Sequence, residues 1–466
     1  MKMRKTIRIQ KLLFAMGMIA GFSGCTGGDR ESSGSGAEVI LMTLDPGHFH
    51  AALVQKSMYE QVDPTVYVYA PEGQDVKIHL DRINGFNSRE SDPTSWNEVV
   101  YTGEDFLEKM IAERKGNVMM VSGNNARKTE YIKKAVDAGI HVLADKPMAI
   151  DSDDFHLLEE AFRAAEEKGI LLYDVMTERF EITTILQREL AHIPGVFGSL
   201  KTGSPEEPSI TKESVHHFFK YVSGNPLVRP AWFFDTQQQG EGIVDVTTHL
   251  VDLIMWEAFP NEVIGRGDVE LASARRWTTD LTPVMFSKVT GMDTWPSYLE
   301  KDVEDGMLKV YSNGEIIYKI KGIYAKASVI WNYQAPEGTG DTHYSIMRGT
   351  QCDLVIRQGK EEGHKPKLYI ESREGARPES FDTDLQRAID TDIAESYPGV
   401  ELVKLDENTW TVNIPDKYKI GHEAHFEEVT KNFLQYFGEG RLPEWEVPNM
   451  ITKYYITTEA LKLARE

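Results

Sequence analysis

The chain has 466 residues, of which 41% are apolar, enough for two or three ordinary globular cores at roughly 100–200 residues each. Fifty-one Lys and Arg stand against 73 Asp and Glu, a formal charge of −22. A surface this acidic excludes binding through a phosphate backbone, which requires clustered cations, so no nucleic-acid partner is expected.

In chain order, the first feature is a leader. Lys2, Arg4, Lys5, Arg8 and Lys11 precede the apolar run LLFAMGMIAGF, which ends in Phe22-Ser23-Gly24-Cys25. The run is too short to cross a bilayer as a helix and reads as a signal h-region, making 1–25 a signal peptide. An apolar residue, two small ones and a cysteine resemble the bacterial lipobox, with Cys25 as the lipidated residue. A Gly- and Ser-rich tether fills 26–37. The expectation is a bacterial cell-envelope protein, periplasmic or surface-facing, touching the membrane through its lipid anchor only. Cys352 is the one other cysteine, so no intrachain disulfide remains and a thiolate zinc site is excluded.

Between 38 and 150, short apolar strands (VILMTL, TVYVYA, NVMMVS, IHVLAD) alternate with helical segments (AALVQKSMYE, EDFLEKMIAERKG, ARKTEYIKKAVDAG). This pattern predicts a parallel sheet with helices on its faces. A helix capped by Ser152 and the strand ILLYDV follow. From about 195, long alternating runs such as EIIYKIKGIYAKASVIWNYQ, CDLVIRQ and KLYIES predict a large, mostly antiparallel open sheet. The fold class is therefore α/β: a Rossmann-like domain over 38–150 and a substrate domain over 151–448. A closing helix over 449–466 packs back on the first domain.

Three stretches can carry chemistry. LDPGHFH (44–50) follows the first strand. Gly47 there could let a nucleotide phosphate approach, or His48 and His50 could present an H-x-H metal pair. Lys146, in ADKP, emerges at the carboxyl end of a strand, the edge where parallel sheets bind ligands. In GEGIVDVTTHLVDLIMW, Asp245, His249 and Asp252 are spaced to share one side of a helix. An imidazole oriented by a carboxylate on a rigid helix suits proton exchange.

Together these stretches resemble the glucose–fructose oxidoreductase / inositol dehydrogenase (Gfo/Idh/MocA) family. AGIHVLADKP is similar to the family's A-G-K-H-V-x-x-E-K-P, with Asp145 in place of glutamate. Ser122-Gly123-Asn124 resembles its T-P-N turn, Arg179-Phe180 the start of its second domain, and the 240–256 stretch its G-G-G-x-x-x-D-x-x-x-H-x-x-D helix. The resemblance implies NAD- or NADP-dependent hydride transfer at a sugar, polyol or glycoside hydroxyl. Lys146, Asp245 and His249 would be catalytic, and Gly47, His48, Phe49, Glu72, Ser122, Asn124 and Lys146 would hold the cofactor. His216, His217, Lys220 and Trp232 would line the sugar site, and the open sheet would make homo-oligomer contacts. A variant of this chemistry keeps the nucleotide bound, oxidises transiently so that a glycosidic bond can be eliminated, and gives no net redox.

The loop departs from the family. G-x-G-x-x-G/A becomes Asp45-x-Gly47-x-x-His50, which sets a carboxylate near phosphate oxygens unless it is turned away or neutralised. Two competitors follow: a metal-dependent hydrolase using His48 and His50, and a non-catalytic sugar-binding lipoprotein on the same fold. The hydrolase would need eight strand–helix units, which the long antiparallel runs do not supply. His48 and His50 are accordingly read as pocket or packing residues, with no metal assigned.

Overall fold

The computed structural model describes residues 38–222, 225–372 and 378–466. The leader, Cys25 and the tether lie outside the described residues.

Six parallel strands form the first sheet: β1 (Leu41–Leu44), β2 (Thr65–Ala70), β3 (Asn97–Thr102), β4 (Val118–Val121), β5 (His141–Asp145) and β6 (Leu172–Val175), in the order β3-β2-β1-β4-β5-β6. Every residue of β1, β4 and β6 is buried, as befits strands covered by helices on both faces. The order reverses between β1 and β4, so the crevice at their carboxyl ends is where such a sheet receives a ligand. Residues 45–50 and 122–124 follow strands at that edge, and Asp145 and Lys146 end and follow β5 there.

The sheet continues past the expected boundary at 150. The helix Ser152–Lys168 crosses back and lays β6 beside β5, extending this layer to Val175. Asp151 rather than Ser152 caps that helix, its carboxylate accepting from the Asp154 amide at 2.9 Å. A carboxylate at the positive end of a helix answers both its free amides and its dipole.

The second sheet contains β7 (Ile210–Phe219), β8 (Val269–Leu281), β9 (Met307–Ile320), β10 (Ile323–Gln334), β11 (Thr342–Arg348), β12 (Cys352–Arg357), β13 (Lys367–Ser372), β14 (Glu401–Lys404) and β15 (Thr409–Asn413). Their order is β8-β9-β10-β7-β11-β12-β13-β15-β14, with the short strand Val303–Glu304 on β9. All neighbours are antiparallel except β10 and β7. This is the mixed, mostly antiparallel sheet that the alternating runs predict.

Two C-terminal helices bind the layers. His422–Glu439 places Phe426, Val429, Phe433 and Leu434 in the core of the first sheet. Glu446–Arg465 contributes Met450 and Tyr454 to that core, and Ile456, Ala460 and Leu461 to the core of the second. The closing helix thus joins both domains, and its predecessor belongs to the first domain despite its place in sequence.

Candidate active site at the carboxyl edge of the first sheet

The β1 loop has turned its unfavourable carboxylate away. Asp45 takes a positive φ of 47° and accepts a hydrogen bond from the Tyr131 hydroxyl at 3.1 Å. Burial raises its pKa, which favours the neutral form. Gly123 is needed beneath the loop, because a Cβ there would lie 2.3 Å from the Asp45 carbonyl oxygen. At Gly47 a Cβ would meet the Asp75 Oδ2 at 3.0 Å and the Trp232 ring at 3.2 Å. The Trp232 indole donates to the same Asp75 oxygen at 3.1 Å. The expected acid Glu72 is exposed; the acid that reaches the loop is Asp75, one helical step later. Trp232 therefore packs against Gly47 of the β1 loop.

Below the loop, Asp145 gathers four groups. His50 Nδ1 lies 3.0 Å and His48 Nδ1 3.6 Å from its Oδ2, and the Ser122 hydroxyl donates to that oxygen at 2.8 Å. The Lys128 ammonium donates to its backbone carbonyl at 3.1 Å. Burial alone would raise the Asp145 carboxyl, but His50, Lys128 and His48 outweigh it and hold it well below the ordinary range. One ligand atom from each of His48, His50 and Asp145 lies within 4.8 Å of the others, so this trio could hold a metal ion. Ser122 is fully buried, while Phe49 caps the single-turn helix His50–Leu53 under the Arg82 guanidinium. Asn124 caps the next turn and donates to Gln238 at 2.7 Å, tying the crevice to the second domain.

Beside this cluster, the Lys146 ammonium donates to Asp245 Oδ1 at 2.5 Å. Gln239 donates to the other oxygen at 3.1 Å. His249 sits on the helix Thr247–Ala258, with Asp245 in the turn before it. Desolvation, reinforced by the Lys146 charge and by His422, drives the His249 pKa well below 6.5, so the ring is neutral. Its Nδ1 is sealed off without a hydrogen-bond partner among the described residues, which leaves Nε2 as the nitrogen open to a ligand.

Asp252, the third residue of that spacing, does not orient His249. It accepts two bonds from Arg179, at 2.6 and 2.7 Å, and one from Lys453 at 2.9 Å. Arg179 and Lys453 overcome the upward push of burial and hold its carboxyl well below the usual range. Asp252 fastens the start of the second domain to the closing helix.

The remaining predicted residues converge on Asp341. His216 Nδ1 lies 3.0 Å from it, His217 binds it through both backbone and ring, and Lys220 pairs with it. Sequence reasoning missed Asp341 as the centre of this group. Glu178 was also missed. It is half-buried, 3.9 Å from the His422 ring, and desolvation with the Glu181 charge outweighs Lys146 to push it up to about 7.

A dinucleotide fits these residues. Gly47 remains in the loop, Asp45 is turned onto the Tyr131 hydroxyl, Asp75 presents a carboxylate beside Gly47, and Lys146 lies at the edge where such a sheet receives a ligand.

Known proteins share this fold. The family model described as "Oxidoreductase family, NAD-binding Rossmann fold" matches residues 74–174. The model described as "Putative oxidoreductase C terminal domain" matches 186–465. A "putative oxidoreductase" of Parabacteroides merdae ATCC 43184, known as a crystal structure, is 60% identical with a TM-score of 0.90, over 92% of this chain and 98% of that one. Levoglucosan dehydrogenase in complex with NADH and levoglucosan is 13% identical with a TM-score of 0.57, over 91% and 97% of the two chains. GenD2 from gentamicin A biosynthesis, in complex with NAD, is 14% identical with a TM-score of 0.54, over 94% and 98%. At these identities the last two share the fold alone. No curated protein matches the chain significantly. The chain belongs to the Gfo/Idh/MocA oxidoreductases, with an NAD-binding Rossmann domain followed by that oxidoreductase C-terminal domain.

Proposed function

We propose that the protein oxidises a hydroxyl of a sugar, polyol or glycoside by hydride transfer to a nicotinamide dinucleotide. The observation that carries this reading is the Lys146 ammonium, 2.5 Å from Asp245, beside a neutral His249 at the ligand-binding edge of the sheet. The sugar class is supported by levoglucosan dehydrogenase, which shares the fold and is seen with NADH and its sugar.

The bound nucleotide would supply a hydride acceptor at its nicotinamide carbon. The chain supplies the rest. Lys146 donates to the reacting hydroxyl oxygen and holds it, while Asp245 fixes the ammonium in place. His249 takes the hydroxyl proton at Nε2 as the carbon loses its hydride. The Asp341 cluster, with His216, His217 and Lys220, presents polar groups to the remaining hydroxyls.

Glu178 favours a second reading of the same site. Simple hydride transfer does not require a second acid, whereas eliminating a glycosidic leaving group does, and Glu178 is a carboxyl whose desolvation and neighbouring Glu181 raise its pKa, 3.9 Å from His422. A transient oxidation with retained nucleotide would use Glu178 to protonate the departing oxygen.

The test is a panel of pyranoses, cyclic polyols and glycosides mixed with protein and NAD+ or NADP+, followed by the near-ultraviolet absorbance of the reduced nicotinamide and by product analysis. Stoichiometric reduced nucleotide supports net oxidation, and cleaved glycoside without it supports the second reading. A panel that is neither oxidised nor cleaved, with nucleotide bound, would sink both.

A further inference from the structure

Two departures from the family pattern lie 95 residues apart: His50, with His48, in the phosphate loop, and Asp145 in place of glutamate. In the fold they meet at one carboxylate oxygen, 3.0 Å from His50 Nδ1 and 3.6 Å from His48 Nδ1. We propose that His48, His50 and Asp145 form a binding site for a first-row divalent cation, with Zn2+ matching the ligand set best.

The distances suit an ion. A tetrahedral Zn2+ bound at roughly 2.0–2.1 Å from its ligands sets ligand atoms about 3.3 Å apart. The two separations to Asp145 bracket that value, all three ligand atoms lie within 4.8 Å of one another, and the ion would displace only a long bond from the His50 amide to His48 Nδ1 at 3.4 Å. Two imidazole nitrogens with a single carboxylate oxygen suit zinc or a related transition ion, while Mg2+ and Ca2+ favour sites built from oxygens. The surroundings resemble a supporting shell. The Ser122 hydroxyl holds the carboxylate at 2.8 Å, and Phe426 packs on the His50 ring with centroids 4.6 Å apart. Such partners fix ligand orientation and limit water.

Two nearby cations are already engaged with oxygens, Lys128 on the Asp145 carbonyl and Lys146 on Asp245. Three protein ligands leave a coordination position free. The side chains of His50 and Asp145 are at most 10% exposed and that of His48 is 23% exposed, so the free position faces the crevice on the His48 side. There it would take an oxygen donor, a hydroxyl or a phosphoryl oxygen.

The experiment is a Co2+ titration of the metal-stripped protein, followed by its visible d–d absorption, with Zn2+ as competitor. The expected result is one equivalent per chain, tetrahedral bands, and displacement by Zn2+. His48→Gln and Asp145→Asn should each weaken Co2+ binding at least about tenfold while the far-ultraviolet circular dichroism stays unchanged. If Asp145→Asn fails to fold, His48→Gln, at the more exposed ligand, alone decides. Absence of stoichiometric Co2+ binding, or binding unchanged in His48→Gln, would overturn the site. The titration needs neither nucleotide nor sugar, so its failure leaves the hydride-transfer reading standing.

Discussion

Replacing Asp252 with asparagine separates the scaffold from the chemistry within one helix. Asp252 accepts three charge-assisted hydrogen bonds, two from Arg179 and one from Lys453. All three side chains are at most 8% exposed. Three such bonds at about 1.5–3 kcal/mol each would suggest a loss of about 5–9 kcal/mol. The cations keep other partners, however: Arg179 lies 2.8 Å from Glu446, and Lys453 lies 2.7 Å from Asp174. The lower range for a broken buried pair, about 3–5 kcal/mol, is the better expectation. Because the Asp252 pKa is depressed on folding, its contribution is present above the ordinary carboxylate value near 3.9 and lost as pH falls through its lower folded value. Urea unfolding at neutral and mildly acidic pH measures the loss, and turnover per folded molecule should stay close to wild type. A change below about 1 kcal/mol, or a collapse of turnover with stability intact, would refute the assignment of Asp252 to the scaffold.

Other outcomes follow from the same geometry. His249→Ala should keep dinucleotide affinity, measured by calorimetry, while turnover falls about 10²–10⁴-fold. Since the folded His249 pKa is lowered, the neutral base persists below 6.5, so the acid limb of kcat/KM should have its midpoint below that value. Lys146→Met removes a repelling charge and should move the His249 titration upward, which NMR can follow. Gly47→Val must displace Asp75 and Trp232 from contacts at 3.0 and 3.2 Å, and should weaken NAD+ binding by about tenfold. Unchanged affinity would remove the loop from the cofactor site. The proposed lipid anchor is checked by fatty-acid labelling in cells, which Cys25→Ser should abolish.

The parallel sheet was legible from the apolar runs of β1, β2, β4, β5 and β6, and the second sheet because its long strands alternate in and out. The largely exposed β3 and the polar helix Gln74–Ser88 carry no clear period and were not legible, and the helix expected over AALVQKSMYE is only the single turn His50–Leu53. Lys146 was legible at the end of a strand and Asp245 and His249 from their spacing, and the fold pairs Lys146 with Asp245. What sequence spacing could not supply were pairings made across the fold. Asp252 looks like a partner for His249 at helical spacing, yet Arg179 and Lys453 reach it from 73 and 201 residues away. Glu72 stands where an acid is expected after β2, but the chain first turns into a helix, and Asp75 is the residue that reaches Gly47. Asp341 belongs to a loop with no motif of its own and gains significance only where β7 brings His216 and His217 to it. The H-x-H pair was ambiguous for the same reason, since its carboxylate comes from another strand.

The central claim is that a carbon-bound hydrogen of the substrate moves to nicotinamide. Mass spectrometry of the nucleotide, recovered by rapid quench during the first turnover of a carbon-deuterated sugar that the panel identifies as a substrate, tests it directly. The account predicts reduced nucleotide carrying one deuterium from the sugar, whether it is released or remains bound. Consumption of the sugar with no deuterium reaching the nucleotide would contradict it.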